Sequence, residues 1–238
     1  MTAIWRRELR SYYYSPIAYV FMGVVLFLFG VYDFQVVMTG SSYYIGQVYG
    51  IMFTWCMLFL PALTMKTLSE DRKNKTDQAL ITAPVSVTAI VWGKFLSAFT
   101  VYFITLAITL VPAFIIGAFS DPSWASIFGN FVASLLYGAA IIAIGVFISS
   151  LTESQIVALV GTVGVSILLM LIDSFGSALS NMLGNTFLQT IVSWISFQAR
   201  YTPFTNGIFN ISSVVFFLSV VAVFNFLTAR RLESRRWS

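Results

Sequence analysis

The sequence predicts an all-α membrane protein with six transmembrane helices, on three observations. Of its 238 residues, 58% are hydrophobic and only 9% charged, against roughly 25% charged in an ordinary soluble domain. Apolar runs close to the ~20 residues that cross a bilayer recur along the chain. The basic residues gather at the ends of alternate runs, the pattern that sets orientation in a membrane. A soluble fold has no way to cover so much apolar surface, whereas a bilayer removes the need to cover it.

The elements follow in order. In residues 1–15, Trp5, Leu9, Tyr12 and Tyr13 keep i, i+4, i+7, i+8 spacing while Arg6, Arg7 and Arg10 fall on other faces. Such an amphipathic helix lies in the inner interface, aromatics among the headgroups and arginines on phosphates. It is either a positive anchor for the first span or a lateral helix that also meets a cytoplasmic partner. The apolar run behind it is too long for a signal-peptide core and has no small-residue cleavage site, so it reads as a retained helix. The first span is 17–37, begun through Ser15 and Pro16, with proline favoured where a helix starts. The second, 48–65, contains Pro61, and a polar connection covers 66–90. The third, 91–119, holds Pro112, where a kink is expected. Asp121 and Pro122 turn the chain into the fourth span, 127–148, and Thr152-Glu153-Ser154 turn it into the fifth, 156–172. The last span is 214–227. Between 174 and 210 the apolar clusters, such as Phe187, Ile191, Trp194 and Ile195, are interrupted by polar residues. Each is only about 10 to 14 residues long, which favours re-entrant or interfacial helices on the outer side. The whole chain, 1–238, reads as one transmembrane domain.

Orientation follows from the cations. Twelve of the 13 Lys and Arg residues fall before the first span, in or beside the 66–90 connection, or after the last span, and only Arg200 falls elsewhere. The positive-inside rule then puts both termini and the 66–90 connection in the cytoplasm of a multi-pass cell (plasma) membrane protein.

The connection itself is informative. Thr76 is a good N-cap with Asp77 in the first turn behind it, and Pro84 disfavours helix at Ala83, which leaves a helix of about two turns. Ser86 or Thr88 then caps the helix that becomes the third span. The short helix presents Ala79, Leu80 and Ile81 to the cytoplasm. It is either a loop folded back on the membrane or a knob for a soluble subunit, where a buried Leu contributes about 1.5 to 3 kcal/mol. Asp33 and Asp173 at the outer rim and Glu153 at the inner one read as solvated caps. Gly161 and Gly164 with Ala158, and Ala139 with Ala143, allow close helix approach. There is no His and a single Cys, Cys56, which excludes disulfide frameworks and Cys/His metal sites. No catalytic residue, metal ligand or substrate-binding residue stands out.

The stretch 69–95, with Thr76, Leu80, Ala83-Pro84-Val85 and Gly93-Lys94-Phe95, resembles the cytoplasmic loop of ABC-2-type ABC transporter permeases. The opening Arg7-Glu8-Leu9 and Ser15-Pro16-Ile17-Ala18-Tyr19 resembles the same family's approach to its first span. Asn206-Gly207-Ile208 and the closing Leu232-Glu233-Ser234-Arg235-Arg236-Trp237 are similar to its gliding-motility-type branch. Lys75 departs from the pattern, standing where the family often has Gly before the Thr.

The resemblance implies a type V ABC exporter-like fold: an elbow helix, a cytoplasmic coupling helix, and re-entrant outer helices before the last span. Two permease copies, identical or paralogous, would sit above two ABC ATPase subunits that bind the ATP and Mg; the chain has no phosphate-binding loop of its own. The residues implied to meet the ATPase are Glu70, Arg72, Thr76, Asp77, Gln78, Leu80, Ile81 and Pro84 in the loop, and Trp5, Arg6, Arg7, Glu8 and Leu9 in the elbow. The lipid bilayer and an accessory outer-side protein complete the expected partners, with no nucleic acid. An ion-gradient-driven secondary transporter or channel, or a membrane scaffold, are the competing readings.

Overall fold

The computed structural model describes residues 2–39, 45–76, 85–119, 121–183 and 194–236. Among these the chain is helical with no strand: α1 (Thr2–Tyr14), α2 (Pro16–Thr39), α3 (Ile45–Thr64), α4 (Ser69–Lys73), α5 (Val87–Gly117), α6 (Trp124–Leu151), α7 (Gln155–Leu183), α8 (Phe197–Thr205) and α9 (Ile211–Arg236). Within the described residues, α2, α5, α6, α7 and α9 each carry a stretch long and apolar enough to cross a membrane. In α2, α5 and α6 the apolar character runs around the whole circumference, as it must where the surroundings are lipid or protein on every side. The chain is thus a multi-pass membrane protein. The helix α3, 20 residues long, packs along α6 and α2.

Helices outrun the apolar runs that announce them. The helix α5 starts at Val87 because the Ser86 hydroxyl accepts from the Ala89 amide, the capping anticipated from sequence. The helix α7 continues to Leu183, eleven residues past the expected end of the fifth span. Ser174, Ser177 and Ser180 lower its hydropathy, but a serine does not break backbone hydrogen bonding as proline does. Of the outer segment, α8 is a nine-residue helix; Phe187 and Ile191 lie outside the described residues.

The bundle is organised around α6, two-thirds of whose spanning stretch is buried, against a third or less for the others. Small residues make this possible. A Cβ on Gly138 would come within 2.1 Å of the Tyr102 ring, and one on Gly145 within 2.2 Å of the Thr64 hydroxyl, so α5 and α3 approach α6 at those two points as only glycine permits. Ala139, Ala143 and Ala158 are buried as expected, and Gly161 approaches Ile148, but Gly164 faces open space. Its expected packing role is not met, because α7 turns that position away from its neighbours.

Across the half of the bundle that holds α8 runs a chain of hydrogen bonds. Tyr102 donates to the Ser134 carbonyl (2.8 Å), the Ser134 and Tyr201 hydroxyls share a bond (3.0 Å), Tyr201 contacts the Tyr49 carbonyl (3.2 Å), and Tyr49 donates to the Thr109 carbonyl (3.0 Å). It ties α5, α6, α8 and α3 where water is scarce and polar groups need partners inside the protein. At the opposite end, α1, the 65–76 segment, the 151–155 turn and the end of α9 come together.

Candidate functional site

That second end is built from α1 upward. The helix lies against α5: Trp5 Nε1 donates to Thr100 Oγ1 (3.2 Å), and a Cβ on Gly93 would sit 2.9 Å from Ile4 Cγ2. Tyr12, 1% exposed, donates its hydroxyl to the Leu63 carbonyl at the end of α3 (2.7 Å). Arg6 and Arg10 are exposed. Arg7, expected on lipid phosphate, instead meets Glu8 at 2.6 Å and Asp71 at 4.0 Å, because α4 brings a carboxylate to it.

Residues 65–76 form the stem of the connection between α3 and α5. The helix α4 has Glu70 and Asp71 in its first turn and Arg72 and Lys73 in its last, which suits the helix dipole. Leu68 at its N-cap has no side-chain acceptor to offer. The cap comes from α6 instead, where buried Ser149 accepts from the amides of Leu68 (3.1 Å) and Ser69 (3.0 Å) and donates to the Met65 carbonyl (3.2 Å). Arg72 pairs with Glu153 (2.9 Å) and donates to the Leu151 carbonyl (3.0 Å), on the α6–α7 turn. Glu153 is largely exposed, so solvent screens this pair to about 0–1 kcal/mol. Lys75 has φ +55°, a left-handed conformation that favours glycine. The family's frequent Gly at this position and this chain's departure from it therefore meet at one backbone angle. The Thr76 hydroxyl points back to Asp71 Oδ1 (2.9 Å). Arg235, near the end of α9, donates to the Ser150 carbonyl (2.7 Å).

Lys94 binds these pieces together. It is 1% exposed, and a lysine that buried is found only when paired. Its ammonium ion-pairs with Asp71 Oδ2 (2.5 Å) and Glu8 Oε1 (3.2 Å) and donates to the Thr67 carbonyl (2.5 Å). With Arg7, the two cations balance the two carboxylates. A cavity of about 260 Å³ opens beside them, lined among others by Tyr12, Lys66, Glu70, Asn74 and Thr76. Burial pulls the Arg7 guanidinium down, but the hydrogen bond and charge of Glu8 and the charge of Asp71 outweigh it and hold it above the ordinary arginine range. Burial, reinforced by the charges of Glu8 and Glu70, raises the Tyr12 phenol. Lys66, its ammonium 4.8 Å from the Tyr12 ring centre, is lowered by burial and by Lys94, against the pull of Glu70 and Glu8.

Of the residues singled out from sequence, Trp5, Arg7, Glu8, Glu70, Arg72 and Thr76 come together here. Asp77, Gln78, Leu80, Ile81 and Pro84 lie outside the described residues. Asp71, Lys94, Tyr12 and Ser149 carry more of the geometry than the sequence assigned to them. A lone lysine inside an apolar run signals Lys94; nothing local distinguishes Ser149. Asp33, expected as a solvated cap, is 7% exposed, because α2 turns it inward; Asp173 lies along α7, its side chain outside the described residues.

A family model for ABC-2 family transporter proteins matches residues 29–229. The chain belongs to the ABC-2 transporter family. No curated protein matches it. Members of the family are generally non-enzymatic transmembrane subunits that work with an ATPase subunit in a membrane.

Proposed function

We propose that the chain is the membrane-spanning subunit of an ATP-driven exporter with a type V fold, of the gliding-motility-type branch. It forms the translocation path with a second permease copy or a paralogue in the plasma membrane. A separate ATPase, binding ATP and Mg, drives it through the loop that follows α4, with Asp77, Gln78, Leu80, Ile81 and Pro84 as the docking residues and Glu70, Arg72 and Thr76 as their base. The elbow α1 is the second contact, and the segment between α7 and α9 is re-entrant on the outer side.

One observation carries the reading: the stem of the loop is anchored separately on α6 through Ser149, on the α6–α7 turn through Arg72, and on α5 through Lys94. A force applied at 77–84 is delivered to three spans at once, as rigid-body gating requires. The six-span count, with α3 as the sixth, is supported by the ends of the chain. The helix α1 and the end of α9 lie at the same end of the bundle, which needs an even number of crossings. That end also collects nearly all the basic residues, as a cytoplasmic face does.

The test is to co-purify the permease with its candidate ABC ATPase and substitute Leu80→Asp. Loss of a buried leucine anchor worth about 1.5–3 kcal/mol weakens docking on the order of ten- to a hundredfold. Unchanged co-purification and unchanged permease-stimulated ATP hydrolysis would overturn the assignment.

A further inference from the structure

We propose that Lys94 is a clamp that locks the elbow helix and the loop stem into one rigid body, so that two segments far apart in the sequence act on the spans as a single lever. The functional consequence rests on the ATPase-driven reading above; the clamp itself does not. Three features point to it. The ammonium is held by three oxygens divided between the two segments: it ion-pairs with Glu8 of α1 and Asp71 of the stem, and donates a hydrogen bond to the Thr67 carbonyl of the stem. The clamp is doubly closed, since Arg7 of α1 also reaches toward Asp71 of α4. It sits beside a close approach of α1 to α5, Gly93 leaving Ile4 room to seat against the backbone next to the lysine.

The chemistry explains why lysine is used. A tetrahedral ammonium serves three acceptors arranged around a point, whereas the planar guanidinium of arginine serves a fork of two. At 1% exposure the ammonium is shielded from bulk solvent. Releasing one carboxylate therefore leaves a buried charge underpaired and loosens only the segment that carried it. Lys94 is buried and is not itself among the expected ATPase contacts, so it is a positioning residue: it holds the relative placement of two contacts made by other residues.

The experiment places nitroxide labels at Arg10→Cys on α1 and Lys73→Cys on α4, both exposed, in a Cys56→Ser background. Distances are measured by electron–electron resonance on the full chain in lipid nanodiscs. The parent gives one narrow distance distribution, which stays in place when the complex with the ATPase is trapped with ATP and vanadate. Lys94→Met broadens it and shifts it to longer distances, and Lys94→Arg does the same to a smaller extent. If Lys94→Met fails to fold, Asp71→Asn, which leaves Lys94 its bonds to Glu8 and Thr67, gives the same broadening. A narrow, unshifted distribution in the folded variants, or a parent distance that changes on trapping, overturns the clamp. In the complex, Asp71→Asn still co-purifies with the ATPase but loses permease-stimulated hydrolysis; retained stimulation also overturns it. Failure of the parent to bind any ATPase would instead sink the coupling reading and leave the distance result standing.

Discussion

Ser149→Ala tests how firmly the loop stem is held. The Ser149 hydroxyl lies on α6, yet it accepts from two amides of the stem, Leu68 and Ser69, and donates to a carbonyl of the same stem, Met65. Leu68 is 6% exposed and Ser69 is fully buried, so water does not replace the lost acceptor. Removing the oxygen strands two buried N–H groups, each costing about 1–3 kcal/mol when unpaired. The space vacated by one hydroxyl is too small to admit a compensating water. Allowing for partial relaxation, the stem should lose about 2–4 kcal/mol of local stability. Ser150→Ala is the control, since that buried hydroxyl donates only to the Phe147 carbonyl of its own helix (2.6 Å), a loss of about 0.5–1.5 kcal/mol. Hydrogen exchange read by mass spectrometry over 66–75 reports this opening directly. The expected result for Ser149→Ala is acceleration on the order of a hundredfold, taking about 1.4 kcal/mol per decade. Acceleration below about threefold, or equal to that of Ser150→Ala, would refute the idea that α6 caps α4.

Two further outcomes follow from single residues. Lys75→Gly removes the left-handed strain of a side chain at φ +55° and should slow exchange in the stem, in proportion to a gain of about 1 kcal/mol; faster exchange would show that the lysine side chain contributes there. Tyr12 has its folded-state ionisation raised above the ordinary tyrosine value, so the folded chain keeps a proton that the unfolded chain releases from about pH 10 upward. Stability contributed by the neutral phenol is complete below that pH and is lost as pH rises beyond it. Tyr12→Phe should lower the thermal midpoint at pH 8 by the loss of one buried hydrogen bond, about 0.5–1.5 kcal/mol. It should also fall less steeply than the parent between pH 10 and 11, and parallel slopes would exclude Tyr12 as the titrating group.

The helices were legible because hydropathy is local: an apolar run such as that of α5 declares itself residue by residue, and Ser86 announces where it begins. The amphipathic spacing of Trp5, Leu9 and Tyr12 likewise marked α1. Helix ends were less legible, since the serines that close the apolar run of α7 do not close its hydrogen bonding. The site was legible in its residue types but not in its pairings. Lys94 could be noticed as a charge within an apolar run, but its partners, Glu8 and Asp71, lie in segments that only the packed bundle brings together. Ser149 was invisible for the same reason, a serine among many until α3 and α6 close on each other through Gly145. Composition and periodicity decide which segments leave water, because that depends on each residue and its immediate neighbours. Which buried charge meets which depends on distances between remote segments, and those exist only once the helices have packed.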